Sequence, residues 1–167
     1  MGIVDPEPSA RPRPVVRLRE VEEGDLPVLF LQQLDPEASR MAAFPPRDRD
    51  AFFAHWRKIL ADDGGLVRTI VADEEVVGHV CAFDMAGERE VGYWIAREHW
   101  GRGIATRALE ALLLLERTRP LHAHVARHNL GSIRVLEKCG FTRAGEGRGE
   151  IRGQEVDEIV LVLAGEP

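Results

Sequence analysis

Apolar positions along the chain change period several times, and each change marks a predicted element. Val16 and Leu18 alternate with Arg17 and Arg19, which predicts a half-buried first strand over Val15–Glu20. Asp25 then stands as an N-cap with Pro27 in the first turn, so a helix is expected to run through Leu34. Asp35–Asp50 has no clear period and is expected to be irregular. Asp48 caps a second helix, Arg49–Leu60, whose Phe52, Phe53, Trp56, Ile59 and Leu60 recur at helical spacing. Leu66–Ala72 and Val76–Phe83 read as two strands joined by Asp73-Glu74-Glu75 as a hairpin, and Glu90–Ala96, with its short apolar run, as the fourth. Gly103–Arg117 reads as a helix stopped before Pro120, and Leu121–Ala126 as a fifth strand. Leu130–Cys139 is a helix ended by Gly140, and Phe141–Gly145 with Glu155–Leu163 closes the sheet as an antiparallel pair. The order β-α-α-β-β-β-α-β-α-β-β predicts an α/β sandwich around one mixed central sheet of about seven strands, with four helices.

With 167 residues and 44% hydrophobic content, the chain has the size of one domain with a real core. Met1–Pro14 holds four prolines and is expected to be a disordered or extended tail, leaving 15–167 as the domain. No apolar run is long enough to span a membrane and no signal pattern opens the chain, so a cytoplasmic location and no membrane partner are expected. The formal charge of −6 argues against a nucleic-acid surface and suits a cationic substrate. Cys81 and Cys139 read as buried thiols, and no Cys/His cluster has zinc spacing, so no metal is expected.

The stretch from Glu90 to Phe141 carries the chemistry. A strand, Val91-Gly92-Tyr93-Trp94-Ile95-Ala96, leads through a polar turn to Trp100-Gly101-Arg102-Gly103-Ile104-Ala105-Thr106 and then a helix. Glycines before a helix let the backbone approach an anion, and the first free N–H groups of the helix point at it. The pattern is neither G-x-G-x-x-G nor a Walker loop, so alone it is a weak sign. Asn129-Leu130-Gly131-Ser132 opens the next helix, which ends at Gly140-Phe141.

Taken together, Trp100-Gly101-Arg102-Gly103-Ile104-Ala105 and Asn129-x-x-Ser132 with Gly140-Phe141 resemble the GCN5-related N-acetyltransferase (GNAT) superfamily. Within it, Gly92-Tyr93-Trp94-Ile95 looks most like the ribosomal-protein-alanine N-acetyltransferase branch, which also includes enzymes acting on antibiotics, polyamines and other small amines. The resemblance implies a mostly antiparallel sheet splayed between strands four and five. It implies transfer of an acetyl group from acetyl-CoA, as co-substrate and without a metal, to a primary amine: a peptide or protein N-terminus, or a small amine. Backbone N–H groups from Gly101 to Ala105 would then surround the pyrophosphate, with Arg102 adding charge and Thr106 a hydroxyl. Trp100 stands where relatives commonly carry Arg or Gln. Ile95 and Ala96 would meet the pantetheine arm and thioester through their backbone, Asn129 would contact pantetheine, and Ser132 the coenzyme sulfur.

Glu90 is the first candidate for the base that takes the amine proton, with His79, His122 and His124 as weaker ones. Many relatives place a tyrosine acid seven residues after the Asn; here that position is Leu136, and the only tyrosine is Tyr93. Phe44, Pro45, Trp56 and Tyr93 are the candidates for acceptor contact, although the helical spacing of Trp56 also fits a core stripe. The absent acid leaves a second possibility, a catalytically silent coenzyme-A-binding sensor or scaffold. Either could be a monomer or a homodimer.

Overall fold

A computed structural model of the chain describes residues 12–165. Its strands are β1 (Val16–Arg19), β2 (Leu66–Ala72), β3 (Glu75–Met85), β4 (Glu88–Ile95), β5 (Leu121–Ala126), β6 (Thr142–Ile151) and β7 (Gln154–Leu163). Its α-helices are α1 (Leu26–Gln33), α2 (Pro36–Ala42), α3 (Arg49–Ala61), α4 (Ile104–Leu115) and α5 (Leu130–Lys138). The seven strands form one sheet in the order β1-β2-β3-β4-β5-β7-β6. Every neighbouring pair is antiparallel except β4 and β5, which run parallel and share a single register pair, Glu90↔His122. The sheet is therefore open between β4 and β5, as the resemblance implied.

Strand alternation sends successive side chains to opposite faces. On one face, Val91, Tyr93 and Ile95 of β4, Leu121, Ala123 and Val125 of β5, and Ile159 and Leu161 of β7 pack beneath α4 and α5. Helix α4 supplies Ile104, Ala108, Leu109 and Leu112, a stripe at helical spacing that is fully buried. On the other face, Leu26 and Leu29 of α1 and Phe52 and Trp56 of α3 form a second cluster with Val67 and Val76. That second layer covers the β2–β3 half of the sheet. Further across, the same face of β4, β5 and β7 carries Glu90, His122, His124 and Glu158.

Two polar ties fix the frame. Arg19 donates to both carboxylate oxygens of Asp25, at 2.6 and 2.7 Å, and Thr69 Oγ1 donates to Asp25 at 2.7 Å. Burial pushes the Asp25 carboxyl upward, but these bonds and the Glu22 N–H outweigh it and hold it below the usual carboxylate range. Asp25 does not cap α1 with its side chain, as the sequence suggested; it is committed to Arg19, Thr69 and the Glu22 N–H behind it. At the far end of α4, Arg89 donates to Glu116 at 2.7 and 3.0 Å, with both side chains largely buried.

The α-helices number five rather than four. Asp35–Asp50, expected to be irregular, contains α2, opened by Asp35 accepting from Ala38 N at 2.9 Å with Pro36 in its first turn. At seven residues it is too short to show a period. Strands β3, β4 and β6 extend beyond their predicted bounds into their hairpins. The expected tail is outside the described residues as far as Arg11; Pro14, assigned to it, is buried, and its carbonyl accepts from Arg107.

Candidate active site

The glycine loop sits at the β4 exit, where the sheet opens. Gly101 and Gly103 take φ of 73° and 74°, the left-handed region that favours glycine. A Cβ at Gly101 would meet nothing within 4 Å, and one at Gly103 only Arg107 Nη2 at 3.8 Å. No internal packing explains the second missing side chain any more than the first; the space lies in front of the loop. Helices α2, α3 and α5 are each closed by a side chain, from Asp35, Asp48 and Asn129. Helix α4 starts at Gly103 with no side-chain cap, which leaves its first amides, at Ile104, Ala105 and Thr106, facing that space. An anion is the natural partner for such an end, worth up to about 2 kcal/mol from the helix dipole alone.

The loop is braced from three directions. Trp100 Nε1 donates to the Ile95 carbonyl at 2.8 Å, so its indole fixes the turn rather than replacing a charged side chain. Arg102 lies 3.1 Å from His99 Nδ1 and 3.5 Å from Asp73. Arg107, which the sequence reading passed over, donates to the Arg102 carbonyl at 3.2 Å and to the Pro14 carbonyl. Its position one turn into α4, over a positive-φ loop, was the available signal. The side chain of Ile104 is buried in the core, so only its amide can face a ligand.

Strand β4 presents a free backbone edge. Ala96 N–H donates to Val77 O at 2.8 Å and the Ala96 carbonyl accepts from His99 N at 2.9 Å. Both of its groups are taken, which removes Ala96 from the predicted docking strip. Antiparallel hydrogen bonding alternates along a strand, so with Ala96 facing β3 the amides of Ile95 and Tyr93 face the β5 side. There the strands have already parted.

Across the opening stands the first turn of α5. Asn129 Oδ1 accepts from Ser132 N at 3.2 Å, so Asn129 acts as an N-cap and keeps its amide NH2 for other contacts. The Ser132 hydroxyl lies 2.5 Å from the Tyr93 hydroxyl. This contact corrects the placement of Tyr93 as an acceptor-binding residue: its side chain is on the α4–α5 face, away from Glu90. Leu136 is buried one turn further along α5. The two cysteines titrate high, Cys81 at about 12 and Cys139 at about 11, because burial disfavours their thiolates.

On the opposite face Glu90 is 8% exposed and makes no hydrogen bond among the described residues; His124 Nε2 is 3.7 Å away. Burial pushes the Glu90 carboxyl up, Glu88 and Glu158 add to this, and His124 and His122 oppose it. Glu158 reaches the other nitrogen of His124 at 3.4 Å, and Glu88 lies 3.6 Å from His122. Gly149 on β6 makes room for Glu158, whose carboxylate lies 2.6 Å from where a Cβ would stand. Glu88 and Glu158 were not singled out from sequence, although Glu158 breaks the apolar row Val156, Val160, Val162 and could have been. His79 is elsewhere, partly buried against the Trp56 ring at 4.9 Å, and desolvation lowers its pKa to about 4.

The predicted acceptor wall divides. Phe44 and Pro45 line a groove of about 510 Å³ with Leu34, Arg40 and Gln154. Arg152 of the β6–β7 turn donates to the Pro45 carbonyl at 2.5 Å and closes one end of it. Trp56 is 3% exposed and belongs to the core, because the α3 stripe packs onto β3. It is no part of an acceptor wall.

This geometry can be set beside known proteins. Residues 16–142 match the acetyltransferase (GNAT) domain family. The uncharacterized N-acetyltransferase p20 of Bacillus licheniformis is 28% identical over 161 residues, covering 87% of this chain and 90% of that protein. A solved spermidine N-acetyltransferase from Vibrio cholerae, in complex with CoA and spermine, superposes with a TM-score of 0.76 at 21% identity, covering 89% of this chain and 95% of that one. RimL, a ribosomal L7/L12 alpha-N-protein acetyltransferase in complex with coenzyme A, gives 0.76 at 18%, covering 89% and 93%. A family match over most of the chain, on a seven-stranded sheet opened between β4 and β5 beside an uncapped helix, places this protein among the GNAT acetyltransferases.

Proposed function

We propose that this acetyltransferase moves the acetyl group of acetyl-CoA to a primary amine on a cationic acceptor, a protein N-terminus or a small amine. The observation that carries the reading is the uncapped start of α4 behind two positive-φ glycines, directly beside the free edge of β4. Gly101 to Ala105 would hold the pyrophosphate through their amides, with Arg102 and Thr106 nearby. The Ile95 and Tyr93 amides would pair with the pantetheine arm, and Asn129 would add its NH2. Acetyl-CoA supplies an activated acyl carbon and a thiolate leaving group.

The chain's own residues then do three things. Glu90, whose carboxyl burial pushes up, takes a proton from the acceptor ammonium, directly or through a water. The Ile95 amide donates to the oxygen that gains charge as the amine attacks. The Ser132 hydroxyl donates to the sulfur as it leaves. Glu88 and Glu158 beside Glu90 favour an acceptor with more than one positive charge near the reacting amine. The two named relatives, acting on spermidine and on a ribosomal protein, support both acceptor types.

Thiol release from acetyl-CoA should be measured against polyamines, aminoglycosides and alanine-, serine- and methionine-starting peptides, with calorimetric binding of acetyl-CoA on the same sample. Turnover that falls at least about 100-fold in Glu90→Gln, with acetyl-CoA affinity kept, is the expected result. In the parent protein kcat/KM should rise with pH through the raised Glu90 pKa, since only the carboxylate can accept the proton. Binding of acetyl-CoA without release for any acceptor would favour the silent coenzyme-binding reading, and absence of binding would remove both.

A further inference from the structure

We propose that Tyr93 is a positioning residue that aims the Ser132 hydroxyl at the leaving sulfur, taking over from β4 the post that Leu136 leaves empty on α5. The inference rests on the coenzyme reading above. Its starting point is that Tyr93 Oη faces two atoms of one residue, Ser132 Oγ at 2.5 Å and the Ser132 carbonyl at 3.2 Å. A carbonyl only accepts, whereas two hydroxyls can donate in either direction. Two arrangements follow. In one, Tyr93 donates to the carbonyl and Ser132 donates back to Tyr93, so both protons are satisfied within the pair. In the other, Tyr93 donates to Ser132 Oγ, and the serine proton is free to point out of the pair.

A thioester sulfur is a poor acceptor and favours the first arrangement. Sulfur gaining negative charge is a strong acceptor and favours the second, because charge-assisted hydrogen bonds are about twice as strong as neutral ones. The switch moves two hydrogens through torsions and requires no heavy-atom displacement. It strengthens one interaction only as the C–S bond breaks, which is the condition for lowering a barrier rather than binding the ground state. Other partners for the serine hydrogen are limited. Asn129 Oδ1 is occupied by the Ser132 amide, and without Tyr93 the hydroxyl would turn back onto a carbonyl of the preceding turn.

Tyr93 keeps its proton throughout. Burial raises its phenol to about 12, well above an ordinary thiol near 8.5. Transfer to the thiolate would therefore run uphill. The balance closes without it. The C–S electron pair goes to sulfur and the carbonyl re-forms from the oxyanion; of the two protons the nitrogen loses between ammonium and amide, one goes to Glu90 and one to solvent, and the thiolate takes its proton from solvent.

Tyr93→Phe keeps the buried ring and removes only the hydroxyl. The expected result is a roughly tenfold fall in kcat with coenzyme A affinity within about twofold and an intact thermal transition. Ser132→Ala should lose at least as much, and the double variant no more than Ser132→Ala alone, instead of the product of the two losses. Placing 3,5-difluorotyrosine at position 93, a stronger donor of nearly the same shape, should raise kcat above the parent value, which a purely structural role would not do. Full kcat in Tyr93→Phe, or multiplied losses in the double variant, would overturn the proposal while leaving an active parent enzyme. Failure of the parent protein to bind or turn over acetyl-CoA would bring down this inference together with the reading beneath it.

Discussion

His79 offers a test of the second core layer and of which histidine can serve as a base. Its ring packs on β3 against Trp56, at 4.9 Å and 87°, and its buried Nδ1 has no hydrogen-bond partner among the described residues. Burial lowers its pKa from 6.5 to about 4, with the nearby His55 charge a lesser cause. Between those two values the unfolded chain binds a proton at this site and the native chain does not. Stability is thus complete above pH 6.5, falls by about 1.4 kcal/mol per pH unit as the medium is acidified, and levels off below pH 4. The summed loss is about 3 kcal/mol, a large part of the stability of a typical domain. Urea unfolding of the parent and of His79→Phe, from pH 7.5 to 4 at fixed ionic strength, would measure it. Phenylalanine keeps a ring against Trp56 and cannot be protonated, so the stability difference between the two proteins should shift by about 3 kcal/mol in its favour. His55, also lowered by burial, acts in the same direction but cancels in the comparison. Asp25 and Glu116, held below the usual carboxylate range, lose their contributions only at still lower pH. Parallel curves for the two proteins would refute the burial of a neutral His79 and return it to the list of possible bases.

Gly101→Ala should cost about 1 kcal/mol of stability through its positive φ, because the added methyl meets no protein atom, yet weaken coenzyme A at least tenfold by calorimetry. Unchanged affinity in the folded variant would show that nothing docks against the loop. Glu116→Gln leaves the buried Arg89 guanidinium with only the exposed Asp84 as counter-charge and should destabilise by about 2 kcal/mol in urea, with coenzyme A affinity intact, since the pair lies at the opposite end of α4 from the glycine loop. Trp56→Phe should lower the thermal midpoint by several degrees and leave the acceptor KM within about twofold. A large rise in KM would put Trp56 back on the acceptor wall.

What the sequence made legible is what short-range rules control. Alternation located β1, short apolar runs bounded by turn residues located the other six strands, and the helical pattern running to Arg117 located α4, because side-chain pattern and burial are one signal there. The Asp48 cap was readable for the same reason, and the Asp35-Pro36 pair carried a similar signal for α2 that its seven residues were too few to reinforce. The glycine loop and the Asn129–Ser132 turn were legible as motifs. Contacts between them were not. The Tyr93–Ser132 hydroxyl pair joins residues 39 apart, and the Glu158–His124 contact joins strands brought together only by the sheet order. Trp56 was ambiguous because a core stripe and a site wall have the same spacing on a helix; only the presence of β3 beneath α3 decides between them.

The proposed roles put three functions on one eight-residue strand, and the period of two is what keeps them apart. Even positions of β4 place Glu90 on the acceptor face beside His124, and odd positions place Tyr93 on the coenzyme face beside Ser132. The amides of Tyr93 and Ile95 lie in the plane of the sheet between those faces, free because β5 has already diverged after Glu90↔His122. The proposed base, oxyanion donor and sulfur-aiming hydroxyl would thus approach a common opening from three directions without competing for space. The parting of β4 from β5 is the structural condition for all three. A fully paired strand would bury the amides in the ladder and close the gap through which an amine on one face reaches an acyl carbon held from the other. The acidic cluster and the hydroxyl pair then serve opposite charges: carboxylates for the incoming cation, hydroxyl donors for the departing anion. Their separation by the sheet keeps each from neutralising the other.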